Sequence, residues 1–354
     1  MTRRAGVVGL GLIGGSIGMA LRDQGWVVIG SDTDDDACAA ALEAGAIDEV
    51  GDTAQAEICF VATPVGQIAE TVHSLLDSGA AVVTDVGSVK APVSADVKDP
   101  RFVPGHPMAG NEMSGVRGSR SDLFHGAVWV LAPNDATSDQ AYAVARGVIA
   151  ALGADVVTID AEAHDQLVAV VSHVPHLTAV TLMALADSRS LEHRPLLRLA
   201  AGGFRDMTRI AAGQSGIWLD ICRQNSAAIS AVLGQLIDDL SQIRDQVEAD
   251  DRNGLLETLD RARQARINLP TGVPADVALA EVRVNIPDEP GQLAAITRLA
   301  TDIDVNIYDL EIAHSVEAAG GLLIMIVPLE VAERLVGALM ANGYRPSSRP
   351  LESE

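Results

Sequence analysis

The sequence predicts an α/β protein: a doubly wound parallel sheet, then an all-helical domain, then a small α+β domain of ferredoxin-like type. Three observations carry this. Short β-branched runs alternate with amphipathic helical stretches from residue 5 to about 159. No convincing strand appears between about 161 and 267. A βαββα order then returns after a proline-containing break.

AGVVGL, WVVIGSD, EICFVAT, AAVVTDV, AVWVLAP and ADVVTI are the expected strands. They are apolar throughout, as strands covered on both faces are. GSIGMALRDQ, DDDACAAALEAG and IAETVHSLLDSG are helices between them, which sets the first domain at 1–160. From 161 to 268 helical periodicity is broken at Pro175, Pro195 and the pair Gly202–Gly203. IWLDICRQNSAAISAVLGQLIDDLSQIRDQV is expected as a single long helix. Its Ile229, Leu233, Leu236, Leu240, Ile243 and Val247 keep near-heptad spacing. That stripe seeks a partner helix, within its own domain or across a subunit interface. Residues 269–277 are a linker by composition. The last domain, 278–350, has strands ALAEVRVNI, NIYDLEIAHS and GGLLIMIVP with helices GQLAAITRLATD and EVAERLVGALMANG. A ferredoxin-like sheet needs one more strand, which has to come from YRPSSRPLE.

Among 354 residues 48% are hydrophobic but only 3% aromatic, so the cores are aliphatic. A formal charge of -23 argues against nucleic-acid binding, which needs a surplus of Lys and Arg. An anionic substrate has to be drawn in by a local cation cluster. Cys38, Cys59 and Cys222 are too scattered for a disulfide framework or a structural zinc site, which points to a reducing compartment. The N-terminus superficially resembles a signal peptide, but its glycine pattern explains it better. With no run of about 18 uninterrupted apolar residues, the expected location is cytoplasmic, with no membrane partner.

Five motifs carry chemistry. VVGLGLIGGSIG sets Gly9, Gly11 and Gly14 as GxGxxG at a strand-to-helix turn, with Leu12 and Ile13 opening the helix, the mark of a Rossmann-type domain. Asp32 ends the next strand, where a carboxylate accepts from a ribose 2′-hydroxyl. With Asp34, Asp35 and Asp36 beside it, a 2′-phosphate is repelled and NAD is favoured over NADP. ATPVG and TDVGSVK fall at the ends of the third and fourth strands. Thr63 and Pro64 are expected to border the nicotinamide ribose, and Asp85, Gly87 and Ser88 to line the reactive cleft. In RFVPGHPMAGNEMSG, His106 stands between Gly105 and Pro107 and is expected at the cleft edge, off any element face. In SHVPH, Pro175 is expected to kink a helix beside His173 and His176, with His164 near its start; pocket lining fits better than metal binding. GGFRDMTRIA puts Arg205, Asp206 and Arg209 on about two turns. The arginines suit a carboxylate clamp, although a surface salt bridge is the commoner outcome for such spacing.

Together these pieces resemble one family, the prephenate/arogenate dehydrogenases of tyrosine biosynthesis (the TyrA family). GHPMAGNEMSG, SHVPH and GGFRDMTRIA followed by Trp218 are its most specific parts. The resemblance implies NAD-dependent oxidation and decarboxylation of prephenate to 4-hydroxyphenylpyruvate, with no metal. It implies that His106 accepts the proton of the substrate hydroxyl and that Ser88 orients the imidazole. It implies Arg209 on a substrate carboxylate with Asp206 holding it, and His176, His164 and Trp218 along the side-chain end. Glu112 is implied as a gate that pairs with an arginine. Asn111 departs from the pattern, where the family more often has a small hydroxyl residue. The last domain, with VNIPDEPGQLAAI and VNIYDLEI, resembles an ACT domain. Asp288, Gly291 and Asn306 match its ligand-loop positions, which implies an aromatic amino-acid effector such as tyrosine; a dimerisation module is the alternative. A homodimer is implied as well. Arogenate as the substrate, or an NAD- and amino-acid-sensing protein without catalysis, are the competing readings.

Overall fold

The structure is a computed structural model, and it describes residues 2–110, 113, 115–191, 193, 195–268, 278–287, 289–314 and 320–351. The first layer comprises β1 (Arg4–Val8), α1 (Leu12–Asp23), β2 (Val27–Ser31), α2 (Asp35–Glu43), β3 (Glu49–Val50) and β4 (Ile58–Val61). It continues with α3 (Ile68–Asp77), β5 (Val83–Asp85), α4 (Ala91–Asp96) and β6 (Phe102–Val103). The six strands run parallel in the order β3-β2-β1-β4-β5-β6. Aliphatic clusters cover both faces, one around Val7, Ile17 and Val28 and the other around Val61, Ile68 and Phe102. That double burial is why the strands show no polar alternation. The order reverses between β1 and β4, the switch point where such sheets bind ligands.

One expectation is corrected here. AVWVLAP and ADVVTI do not extend the parallel sheet. With β7 (Gly105–Pro107), the strands β8 (Val128–Leu131) and β9 (Asp155–Thr158) form a separate three-stranded sheet; α5 (Asp139–Ala151) lies between the last two in sequence. Pro104 is the physical cause. It has no N–H to continue the ladder beyond β6, while its carbonyl accepts from Ala132 N at 2.8 Å and leads the chain into the new sheet. Trp129 of β8 packs at 5.0 Å from the Phe124 ring and 6.3 Å from Phe60.

The helical stretch begins with α6 (Ala161–Val168), a π-helical turn (Ala169–His173) and α7 (Val174–Ser190). Pro175 lies inside the continuous helical run Ala161–Ser190, in the first turn of α7, and the irregularity beside it is the wide π turn directly before it. After this come α8 (Gly202–Thr208), a 3-10 turn (Arg209–Ala212), α9 (Ser215–Gln224), α10 (Ser226–Glu248) and α11 (Arg252–Ile267). The single long helix expected from the sequence is thus broken between α9 and α10, at Asn225, whose backbone leaves the helical region at φ -112° and ψ 29°. By length and composition the run Ala161–Ser190 is apolar enough to cross a membrane. It buries His164, Asp165, His173 and His176, and leaves Leu167, Val170, Val171 and Leu185 exposed.

The chain's contacts divide it into two compact units, Met1–Leu199 with Arg205–Gln242, and Ala200–Phe204 with Ile243–Glu354. In the second lie β10 (Leu279–Pro287), α12 (Gln292–Asp302), β11 (Asp309–His314), β12 (Gly320–Pro328), α13 (Leu329–Ala341) and β13 (Pro346–Leu351). The antiparallel order β11-β12-β10-β13 is the ferredoxin-like arrangement, and β13 does come from the tail, pairing with β10. Val282, Ile296, Leu323 and Leu335 form its core.

Candidate active site

The glycine turn joins β1 to α1 at the switch point. Gly9 has φ +93°, and a Cβ there would stand 2.5 Å from the Ala62 carbonyl oxygen of the neighbouring strand end. Gly14 is tighter still, since a Cβ would overlap the Gly9 oxygen at 1.9 Å. Gly11 is different. It is the N-cap of α1, and a Cβ there would meet nothing within 4 Å. Gly9 and Gly14 thus serve packing, whereas Gly11 leaves open space at a helix N-terminus for a phosphate. Leu12 and Ile13 follow as the first residues of α1. Asp32, just past β2, accepts from Leu10 N at 2.7 Å and from Asp34 N at 3.0 Å, which fixes its carboxylate beside the turn. Ser119, a residue with no signal in the sequence, bonds the Leu12 carbonyl at 2.9 Å from across the turn. We expect Gly9→Ala to lower stability by about 1–3 kcal/mol, read by thermal denaturation, because both the positive φ and the contact forbid a methyl.

Past the end of β4, Pro64 is exposed and Thr63 half-buried. The Thr63 hydroxyl is enclosed without a hydrogen-bond partner, the condition of a group waiting for a ligand. Asp85 does not line the cleft as expected. It is fully buried, and its carboxylate accepts from Gly87 N at 2.9 Å, from Gly105 N at 3.1 Å and from the Lys90 ammonium. Its role is internal, tying the end of β5 to the start of β7. Gly87 is likewise buried, with room for no more than hydrogen where Ile68 packs.

His106 is on β7, opposite Val130, and only 8% exposed, not off an element face as expected. Gly105 permits this: a Cβ there would stand 2.9 Å from the Asp85 carbonyl oxygen, so only glycine brings β7 this close to β5. The imidazole partner also differs from expectation. No side-chain hydrogen bond of Ser88 occurs among the described residues; instead His106 Nδ1 lies 2.9 Å from His164 Nε2. His164 Nδ1 in turn lies 2.8 Å from Asp165 Oδ1. Asp165 also accepts from Lys90 N at 2.7 Å and Ala91 N at 2.8 Å, which locks it as an acceptor. The tautomers follow from this. His164 donates from Nδ1 and accepts at Nε2, so His106 donates from Nδ1 and keeps its Nε2 lone pair. Burial, helped by the positive field of the Lys90 ammonium, holds the His106 pKa well below 6.5. The group is therefore neutral and ready to accept a proton.

Asn225 explains the break between α9 and α10. Its Nδ2 donates to the Asp165 carbonyl at 2.8 Å and lies 3.2 Å from His173 Nδ1, so the helix yields to support the relay. Burial lowers the His173 pKa from 6.5 to about 4, against the opposing pull of Asp165. A histidine held neutral in the fold binds its proton more readily when unfolded. Stability is therefore complete above about pH 6.5 and drains as pH falls toward about 4. Thermal midpoints across that interval should decline, and His173→Gln should flatten the decline.

His176 stacks on Trp218 with ring centroids 3.6 Å apart and planes 8° from parallel. Gly213, at the end of the 3-10 turn, lies against it, since a Cβ there would be 3.7 Å from His176 Cε1. The turn that starts with Arg209 thus ends beside this stack. Asp206 does not hold Arg209: α8 ends at Thr208 between them, and no ion pair joins the two among the described residues. Asn111, Glu112 and Asp288 lie outside the described residues. Gly291 is the N-cap of α12 with φ +91°, and Asn306 is exposed between α12 and β11. Asp165, Lys90 and Asn225 are the site residues that sequence reasoning missed. The signals available were the His-Asp pair at 164–165 and a lone asparagine interrupting an apolar helical pattern.

A nucleotide turn, a neutral buried base and a histidine–aromatic stack are now placed along one unit. Residues 17–158 match the nucleotide-binding domain of prephenate dehydrogenase, and residues 160–261 match the prephenate dehydrogenase dimerization domain. The chain belongs to the prephenate dehydrogenase family. A prephenate dehydrogenase of Bacillus subtilis is 34% identical over 333 residues, 90% of each chain. The Aquifex aeolicus prephenate dehydrogenase, solved with hydroxyphenyl propionate and NAD+, superposes with a TM-score of 0.71 at 28% identity, covering 76% of this chain and 99% of that one. A Synechocystis arogenate dehydrogenase superposes at 0.64 with 31% identity, covering 74% and 98%. The two family models start after the glycine turn and end before the ferredoxin-like domain, while the Bacillus subtilis relative aligns over 90% of the chain and so reaches into that domain.

Proposed function

We propose that this chain is an NAD-dependent prephenate dehydrogenase in which a relay of Asp165, His164 and His106 removes the substrate's hydroxyl proton. The observation that carries the mechanism is the 2.9 Å contact between His106 Nδ1 and His164 Nε2, because it leaves Nε2 of His106 as the acceptor. The cofactor site fits its ligand: Gly11 opens space at a helix N-terminus, Asp32 is fixed at the next strand end, and the Thr63 hydroxyl lacks a partner. When bound, NAD takes the hydride from the substrate carbon that bears the hydroxyl.

The chain's own residues do the rest. His106 Nε2 accepts the hydroxyl proton, and the resulting imidazolium is stabilised through His164 by the Asp165 carboxylate. The ring carboxylate then departs as carbon dioxide; the electron pair it leaves enters the ring and moves onto the former hydroxyl oxygen, which takes back the proton held on His106 Nε2, so that the ring ends as an aromatic phenol. Arg209 binds a substrate carboxylate, and the His176–Trp218 stack lines the side-chain end. Ser88, half-buried past the end of β5, offers its hydroxyl to the substrate and nicotinamide side. A free enzyme that keeps His106 neutral suits a dianionic substrate, whose charge raises the imidazole pKa only once it is bound. The acid limb of kcat/KM, which reports the free enzyme, should therefore lie below pH 6.5, and the limb of kcat should lie above that of kcat/KM. Coincident limbs at the ordinary histidine value would refute this.

We assign domains at 1–160, 161–268 and 278–350, a homodimer through the helical domain, and a cytoplasmic setting for three cysteines that are free. The ferredoxin-like domain resembles an ACT module. Gly291 in the left-handed region is suited to a ligand loop, and an aromatic amino acid is the effector we assign to it, testable by calorimetry with Tyr, Phe and Trp. The likeness to an arogenate dehydrogenase supports a second substrate reading. NADH formation with prephenate against arogenate, each with NAD and NADP, decides it: turnover with prephenate and NAD is expected, and none with either substrate would overturn the function.

A further inference from the structure

The second unit holds a feature that neither the reaction nor the proposed effector loop uses. Between α11 and the face of the antiparallel sheet lies a cavity of about 320 Å³, lined by Arg263, Arg266, Glu281, Arg283, Asp309 and Arg349 over Ile324 and Ile326. Four guanidinium groups against two carboxylates leave this wall net positive by two, in a chain whose formal charge is -23.

The arginines are of two kinds. Arg349 reaches the buried Glu281 carboxylate through two hydrogen bonds of 2.9 Å, and Arg283 binds the same carboxylate through Nε. Burial works to raise the Glu281 pKa, but the hydrogen bonds from Arg349 and Arg283 overcome it and hold the group ionised. Glu281 thereby fixes two guanidinium groups on adjacent strands, β10 and β13, in set orientations. Arg263 and Arg266 come from α11, three residues apart and so on one helix face. Among the described residues neither has an ion pair or hydrogen-bond partner through its side chain. Two preset cations and two exposed ones, without a protein partner among the described residues, form around one concavity a receptor for an anion with more than one charged group, since the guanidinium fork matches phosphate and carboxylate bidentately.

We propose that this cavity binds a compact multivalent anion, of the phosphate-ester or polycarboxylate class, bridging α11 and the sheet. Ile324 and Ile326 give it an apolar floor, and Asp309 at the wall favours a ligand that also carries a hydroxyl or ammonium donor.

The test is calorimetric titration of the full-length protein, saturated with NADH so that the glycine turn is occupied. Pyrophosphate and citrate are the two probes, each matched in ionic strength with sodium chloride. Saturable binding of either probe is expected, weakened at least about tenfold in Arg263→Ala/Arg266→Ala, with prephenate turnover unchanged. Preference for pyrophosphate identifies the phosphate-ester class, and preference for citrate the polycarboxylate class. A second variant, Arg283→Gln, guards against loss of α11 structure and should weaken binding as well. No saturable heat beyond the salt control, or equal binding by the wild type and both variants, would overturn the proposal.

Discussion

Replacing His106 by asparagine lowers kcat by about 10²–10⁴ while NAD affinity stays the same, the range expected when a positioned general base is removed. Asparagine matches the imidazole in reach but has no lone pair basic enough to take the hydroxyl proton. Its amide still occupies the position opposite Val130 on β7, so the strand pairing survives. The measurement is steady-state NADH formation, with cofactor binding followed separately by fluorescence. Full retention of kcat would remove His106 from the chemistry altogether.

Asp165→Asn gives the second large effect, a loss of roughly 10²–10⁴ in kcat with little change in KM. The carboxylate touches neither cofactor nor substrate in this reading. It acts through His164, whose Nδ1 it accepts from at 2.8 Å. An asparagine amide turned toward His164 would donate there and invert the chain of tautomers, placing a proton on His106 Nε2. A merely structural role would lower stability alone. Asp165 does have such a role, since Lys90 N and Ala91 N both donate to it, and a loss of about 1–3 kcal/mol is expected in parallel. The discriminating readout is the kcat–pH profile of the folded variant, in which the acid limb should disappear or move.

The sheet and the glycine turn were legible because each rests on local pattern. Unbroken apolar runs at strand length and GxGxxG after the first of them leave few alternatives, and β13 could be inferred because the preceding elements lacked a partner edge. Strand β3, two residues of ordinary composition, had no such pattern. The fate of AVWVLAP was hidden because a single proline at 104 redirects the chain, and its consequence depends on which strand is next in space. In the site, His106 was legible from its company of glycine and proline. Its partner was not: Ser88 is nearer in sequence and lies three residues past the end of β5, yet the contact is made by His164 from a different domain of the pattern. Asp85 reads as a cleft carboxylate until one sees that three donors already surround it. Asp206 and Arg209 share helical spacing, but the helix ends between them.

The π turn at Ala169–His173 sets the phase of the helical rod that carries the imidazoles. His164 and His176 are twelve residues apart, a separation that in a regular α-helix puts two side chains about a third of a revolution out of line. A π turn absorbs roughly one residue, which reduces the effective spacing to about eleven, close to three whole turns. The base-supporting end and the stacking end of the pocket are thereby brought onto one side of the rod. Shortening the wide turn by one residue would keep that alignment, whereas inserting one would rotate His176 and its Trp218 stack by about 100° away from the relay. If the substrate lies as proposed, the rod works as a vernier between its two ends.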